Sequence, residues 1–154
     1  MSKAHALVLF DLDGTLIDSA PDLAGAANSM RLTRGLPALP VAELRPMVGA
    51  GARGMVGLAL GVRPGDADYE ALRTEFLDTY ERASLVHTAV FEAMHPVLDK
   101  LDALGARWGI VTNKAERFTH PIVQGLGLHR RAAVLVCGDT TPHSKPHPEP
   151  LLEA

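Results

Sequence analysis

The sequence predicts an α/β protein, a parallel sheet core into which an all-helical segment is inserted. Three short apolar runs carry the sheet: Ala6–Phe10 (ALVLF), Arg107–Val111 (RWGIV) and Ala132–Cys137 (AAVLVC). They lack a 3.6-residue period and suit strands covered on both faces. Helical patterns precede the second and third runs, so the order strand, helix, strand, helix, strand points to parallel pairing. Between the first run and the rest, roughly residues 17 to 87 carry helical patterns and no strand signal.

Asp11 ends the first strand. Ser19 followed three residues later by Asp22 reads as a capping box, with Pro21 in the first turn. The helix it opens runs through Leu23, Ala26, Ala27 and Met30 and stops at Gly35. After a Pro-containing loop, Leu36 to Pro40, a helix is expected over Ala52–Leu60. Another is expected over Asp66–Ser84, with Tyr69, Leu72, Phe76 and Tyr80 on one face. Pro96 opens the helix before the second strand, with Val97, Leu98, Leu101 and Leu104 at helical spacing and Gly105 as its stop. Ala115–Leu126 precedes the third strand, and Pro121 inside it predicts a late start or a kink. The expected division is a discontinuous core, residues 1–16 and 88–154, and a helical insertion, residues 17–87.

A chain of 154 residues with 47% hydrophobic and 5% aromatic residues can bury a sizeable, mainly aliphatic core. A net charge of -3 offers no basic field for a nucleic-acid backbone. The apolar run after His5 is cut by Asp11, too early for a secretory segment. The longest stretch free of Asp, Glu, Lys and Arg, Phe118 to His129, is too short to cross a bilayer. One cysteine, Cys137, makes no internal disulfide, and the expectation is a cytoplasmic protein without nucleic-acid or membrane partners.

The strongest chemical signal is Phe10-Asp11-Leu12-Asp13-Gly14-Thr15, placed where a strand ends, the position at which open α/β sheets bind ligands. Residues two apart point the same way from an extended backbone, so Asp11 and Asp13 can converge on one ligand. One carboxylate can attack phosphorus and hold a cation; the other can pass a proton to a leaving alkoxide and take one from water. Gly14 permits the turn that follows. By themselves, two acids before a glycine also read as a solvated turn.

Asp11-Leu12-Asp13-Gly14-Thr15 resembles the first signature of the haloacid dehalogenase-like hydrolases. Val111-Thr112-Asn113-Lys114 resembles the second, and Ser144-Lys145-Pro146-His147-Pro148 the lysine signature that comes third. The resemblance covers the chain from Ala6 onward, and within the family these motifs look most like bacterial phosphoglycolate phosphatases. It implies a Rossmann-like core with a mobile helical cap, and a small phosphorylated metabolite, 2-phosphoglycolate, as substrate. Asp11 is then the nucleophile that forms an aspartyl-phosphate and Asp13 the general acid and base. Thr112 bonds the transferring phosphoryl group, and Lys145 neutralises charge on it. Gly14, Asn113 and Arg53 are expected to contact substrate, and Mg²⁺ to sit on the Asp11 carboxylate and the Asp13 carbonyl. Taken alone, Thr112 reads as a helix cap and Lys145 as a loop lysine. Asp13 argues against the family's dehalogenases, which lack that acid, and Leu12 with Asp13 argues against its ion-pumping ATPases.

Gly49-Ala50-Gly51-Ala52-Arg53-Gly54 spells G-x-G-x-x-G, yet the required strand does not precede it. It reads instead as a glycine loop at a helix start, where Arg53 receives a substrate carboxylate, or as close helix packing with Arg53 on the surface. His143 and His147 lack a zinc site's spacing with any other ligand, and Cys137 has no cationic neighbour to activate it. The family's fourth signature, an acidic pair after the lysine, is missing: the sequence stops nine residues past Lys145, and Gly138-Asp139 imitates it in the wrong place. The C-terminal part of the core is therefore expected to be missing, leaving the first strand an apolar edge. The alternatives carried forward are a sugar-phosphate phosphatase or phosphomutase, and a catalytically incomplete phosphate-binding fragment.

Overall fold

The computed structural model describes residues 7–154, so Ala6, the expected start of the first strand, lies outside the described residues. The chain folds as two compact units, residues 1–17 with 90–154 and residues 18–89. Strands Ile17–Asp18 (β2) and Ala89–Val90 (β3), a two-stranded sheet, carry the chain from one unit to the other.

In the first unit, β1 (Leu7–Phe10) pairs in parallel with β4 (Arg107–Val111), and β4 with β5 (Leu135–Val136). The strand order is β1-β4-β5. β4 is buried from Trp108 to Val111, as a central strand should be. β1 is not covered on both faces: Leu7 is exposed and Val8 to Phe10 are half-buried, because among the described residues only β4 pairs with it. β5 is shorter than the apolar run that announced it. The ladder nonetheless begins earlier, with Ala133 N–H donating to Trp108 C=O (2.7 Å) and Ile110 N–H to Val134 C=O (2.9 Å). Gly109 makes that approach possible, since a Cβ there would overlap the Val134 side chain.

Helices α5 (His95–Ala103) and α6 (Glu116–Gly125) precede β4 and β5. Only Leu98 of the expected apolar face of α5 is fully buried, whereas Val97 and Leu104 are exposed. A nine-residue helix beside a three-stranded sheet covers a narrow stripe. α6 shows no late start: it begins at Glu116 and continues through Pro121. A proline in the second turn loses one ladder bond, and this one is exposed. Phe118, Ile122 and Val123 form its buried stripe.

The second unit is helical, with α1 (Ala20–Thr33), a single turn α2 (Val41–Leu44), α3 (Gly51–Leu60) and α4 (Tyr69–Arg82). Buried Ala20, Ala24, Ala26 and Ala27 let neighbouring helices approach α1 closely, and Leu44, Met55 and Phe76 fill the interior. Leu72, expected on the buried face of α4, is only half-buried. The expected capping box does not form. Ser19 makes no side-chain cap bond, and the Asp22 carboxylate is turned to the unit's far end. There it accepts from His87 N–H (2.9 Å), Thr88 N–H (2.8 Å) and Thr88 Oγ1–H (2.7 Å). Three donors converging on one carboxylate outweigh a single cap bond. Asn28 pins the Pro-containing loop by exchanging two 2.8 Å bonds with the Leu39 backbone. Among the described residues, no helix is long and apolar enough to cross a membrane.

Candidate active site

The β1–β4 register sets Phe10 opposite Ile110, so the residues that follow the two strands, Asp11 and Thr112, leave the sheet at the same end. After Asp11 the backbone coils tightly. Leu12 C=O accepts from both Leu16 N–H (2.9 Å) and Ile17 N–H (3.1 Å), and Gly14, at φ 76°, donates to Ile17 C=O (2.9 Å). A side chain at Gly14 would meet the left-handed penalty, which explains the glycine without a substrate contact. Leu12 and Leu16 are buried, which anchors the coil and leaves Asp11 and Asp13 beside it.

Lys145, 34 residues beyond β4 in sequence, is brought onto this strand end. Its Nζ donates to Val111 C=O (2.6 Å) and to Asp11 Oδ1 (3.0 Å). Asn113 holds the lysine's backbone in a reciprocal pair: its amide donates to Lys145 C=O (2.9 Å) and accepts from Lys145 N–H (2.8 Å). In this structure Asn113 therefore positions Lys145, whereas the sequence suggested a substrate contact. Thr112 is buried, and its hydroxyl accepts from Lys114 N–H (3.1 Å), which fixes Oγ1 at the mouth of the sheet.

Lys114, to which the sequence assigned no role, is the residue that reasoning missed. Its Nζ donates to Asp13 Oδ1 at 3.0 Å, with the Lys114 side chain 10% and the Asp13 side chain 17% exposed. Position 114 closes the second motif, and that adjacency was the available signal. The site is thus two carboxylates, each tied to its own ammonium group. Asp11 is the more open, with 48% of its side chain exposed. It can reach a ligand, while Asp13 is held to one side of it.

Gly138 N–H donates to Lys114 C=O (2.8 Å), and a Cβ at Gly138 would overlap the Asn113 carbonyl. Asp139 Oδ1 accepts from Glu116 N–H (2.8 Å), so the imitation of the fourth signature serves as a cap for α6. Arg53 belongs to the other unit, exposed on α3. The G-x-G-x-x-G stretch begins inside a 3₁₀ segment, Arg45–Ala50, and runs into α3 with no strand before it, so it lacks the setting of a dinucleotide site. At Gly54 a Cβ would stand 2.6 Å from Ala50 Cβ, which accounts for that glycine by packing. Burial pushes the Cys137 thiol up from its ordinary value, the wrong direction for a nucleophile.

The donors beside the Asp11–Asp13 turn are carboxylate and peptide oxygens, the set a hard divalent cation takes, and the half-exposed Asp11 carboxylate fits such an ion.

The sequence profile of the haloacid dehalogenase-like hydrolase family matches residues 8–154. N-acetylmuramic acid 6-phosphate phosphatase of Pseudomonas putida is 46% identical over 147 residues, which cover 96% of this chain and 66% of that protein. Phosphoglycolate phosphatase of Xanthomonas campestris pv. campestris is also 46% identical, with the same coverage. The chain thus spans just under two thirds of the length of these relatives. The crystal structure of a predicted phosphoglycolate phosphatase from Haemophilus somnus 129pt superimposes with a TM-score of 0.79 at 27% identity, over 96% of this chain and 68% of that one.

Proposed function

Since the chain belongs to the haloacid dehalogenase-like hydrolases, we propose that it hydrolyses phosphomonoesters of small metabolites through a covalent phosphate on Asp11. The observation that supports this most is the pairing of Lys145 Nζ with Asp11 Oδ1 at 3.0 Å, with Asp13 held two residues away.

A carboxylate oxygen of Asp11 attacks phosphorus, and the bond from phosphorus to the ester oxygen breaks. Protonated Asp13 delivers its proton to that oxygen, so an alcohol leaves. Asp13 then takes a proton from the water that attacks the acyl phosphate, releasing inorganic phosphate and restoring Asp11. Lys145 offsets the charge that gathers on the phosphoryl oxygens, Thr112 donates its hydroxyl to one of them, and Lys114 aims the Asp13 side chain. Mg²⁺ is the cofactor proposed: the Asp11 carboxylate and Asp13 carbonyl would hold it, and it would add positive charge beside the phosphoryl group. The helical unit is proposed as the cap that selects substrate.

The substrate proposed is 2-phosphoglycolate. A sugar phosphate is the second reading, favoured by the equally similar relative that acts on N-acetylmuramic acid 6-phosphate. Both compounds pair a phosphate ester with a carboxylate, so Arg53→Ala should raise KM for either by about tenfold more than for a neutral ester. A cytoplasmic location fits a chain whose single cysteine cannot form an internal disulfide.

Acid quenching during turnover of radiolabelled phosphoglycolate, followed by peptide mapping, should place the label on Asp11, and Asp11→Asn should abolish both label and turnover. Label on another residue would overturn the assignment. Comparing initial rates on phosphoglycolate and N-acetylmuramic acid 6-phosphate decides between the two substrates.

A further inference from the structure

Three side chains outside the proposed chemistry come together where the sequence offered two. A backbone bond from His147 N–H to Ser144 C=O (3.0 Å) turns the chain back on itself. The rings of His143 and His147 consequently stack, with centroids 4.3 Å apart and planes 22° from parallel. Glu149, at the start of helix α7 (Glu149–Glu153), closes the group: its Oε2 lies 2.6 Å from His143 Nδ1 and 3.9 Å from His147 Nδ1. We propose that His143, His147 and Glu149 form a binding site for a borderline transition-metal ion, with Zn²⁺ as the reference ion.

Two imidazole nitrogens and one carboxylate oxygen are a recurrent three-ligand set for zinc, with water completing the tetrahedron. Their candidate donor atoms all lie within 4.8 Å of one another. In a zinc shell, with ligands about 2.0–2.1 Å from the metal, neighbouring donors stand about 3.3 Å apart. The hydrogen-bonded Glu149–His143 pair, at 2.6 Å, must open slightly to admit the ion, and His147, at 3.9 Å, must close in. Its side chain is 48% exposed, which leaves room for the rotation. The cost is the 2.6 Å His143–Glu149 hydrogen bond, which ligation replaces, and the longer contact from Glu149 N–H to His147 Nδ1 at 3.2 Å. Thr141 Oγ1–H donates to His143 C=O (2.7 Å) and steadies one end of the loop.

The set is chemically distinct from the Asp11–Asp13 turn. Oxygen donors there suit Mg²⁺, whereas imidazole suits zinc, so the two ions sort by ligand type. The inference stands apart from the phosphatase reading, because ligation is measured whatever the chain hydrolyses. An ion here would also tie residue 143 to residue 149 and restrain the segment that carries Lys145.

The test is a Co²⁺ titration of the tag-free chain in excess Mg²⁺, followed by displacement with Zn²⁺. The expected result is one Co²⁺ with the intense visible absorption of tetrahedral coordination, and slower hydrogen exchange over residues 143–149 when Zn²⁺ is bound. His143→Ala and Glu149→Gln should each weaken binding by about tenfold or more, with circular dichroism verifying their fold. Asp11→Asn should leave it unchanged. Equal Co²⁺ affinity in wild type and both variants, a pale octahedral spectrum, or loss of binding in Asp11→Asn would overturn the site.

Discussion

At the scale of single residues, the two lysines divide the work at the strand end, and their removal should be distinguishable. Lys145 faces the attacking group, so Lys145→Ala should slow every ester alike. Lys114 faces the proposed acid, 3.0 Å from Asp13. Asp13→Ala should slow hydrolysis of alkyl phosphates by about a hundredfold or more, and nitrophenyl phosphate far less, because nitrophenolate departs without a proton. If Lys114 positions Asp13, Lys114→Ala should reproduce that leaving-group pattern more weakly, by about tenfold, the loss of one charge-assisted hydrogen bond. Steady-state rates on the two ester classes check this, and a uniform effect would return Lys114 to a structural role. The lysine signature was legible in the sequence because its residue types and order are specific. The Lys114–Asp13 pair was not, since 101 residues separate the partners and nothing local announces which carboxylate a lysine will meet.

At the scale of elements, buried polar anchors and glycines hold the helices in place. Asp22 is 4% exposed and takes three hydrogen bonds from residues 87 and 88, joining the first helix of the second unit to its last segment. Asp22→Ala should cost about 3 kcal/mol in urea unfolding, because it strands the two buried Thr88 donors at once. Gly54 and Gly57 form a matched pair on α3. Gly54→Ala would drive its Cβ to 2.6 Å from Ala50 Cβ and should destabilise by about 1–3 kcal/mol. Gly57→Ala meets only Val62 C=O at 3.5 Å and should stabilise by about 0.5–1 kcal/mol. In the first unit, Asp102 at the end of α5 accepts from Trp108 Nε1–H (3.1 Å) of β4 and from Arg131 (2.7 Å). The Trp108 bond and then Arg131 hold its carboxyl below the ordinary value despite some burial. A lowered folded-state value means this stabilisation is present above the unfolded pKa and is lost as pH falls through the folded one. The acid limb of thermal stability should therefore flatten in Asp102→Asn, and an unchanged limb would remove Asp102 from the account.

At the scale of the whole molecule, each unit has its own interior, Trp108 with Ile110 and Ile122 in one, Met55 with Phe76 and Tyr80 in the other. The single cysteine reports on the first. Cys137 is 1% exposed, and burial raises its thiol, so a thiol reagent at neutral pH should label the native chain slowly and the urea-unfolded chain at the rate of a free peptide. Rapid labelling of the native chain would mean that the first unit opens locally around β5.

What the sequence determined by itself was the type and order of elements and the motifs at strand ends. Apolar runs, helical spacing and an Asp-x-Asp-Gly turn are written within a few residues, and local stereochemistry enforces them. The second strand was placed to the residue for this reason. The tertiary structure decided whatever depends on partners distant in the chain. It spent Asp22 on residues 87 and 88 instead of a cap, assigned Asp139 to the start of α6, and made Asn113 a brace for the Lys145 backbone. Nearer in sequence, the turn after Ser144 also brought Glu149 to two histidines that looked unpartnered. A polar side chain takes whichever donors or acceptors folding brings to it, and local spacing cannot state which those will be.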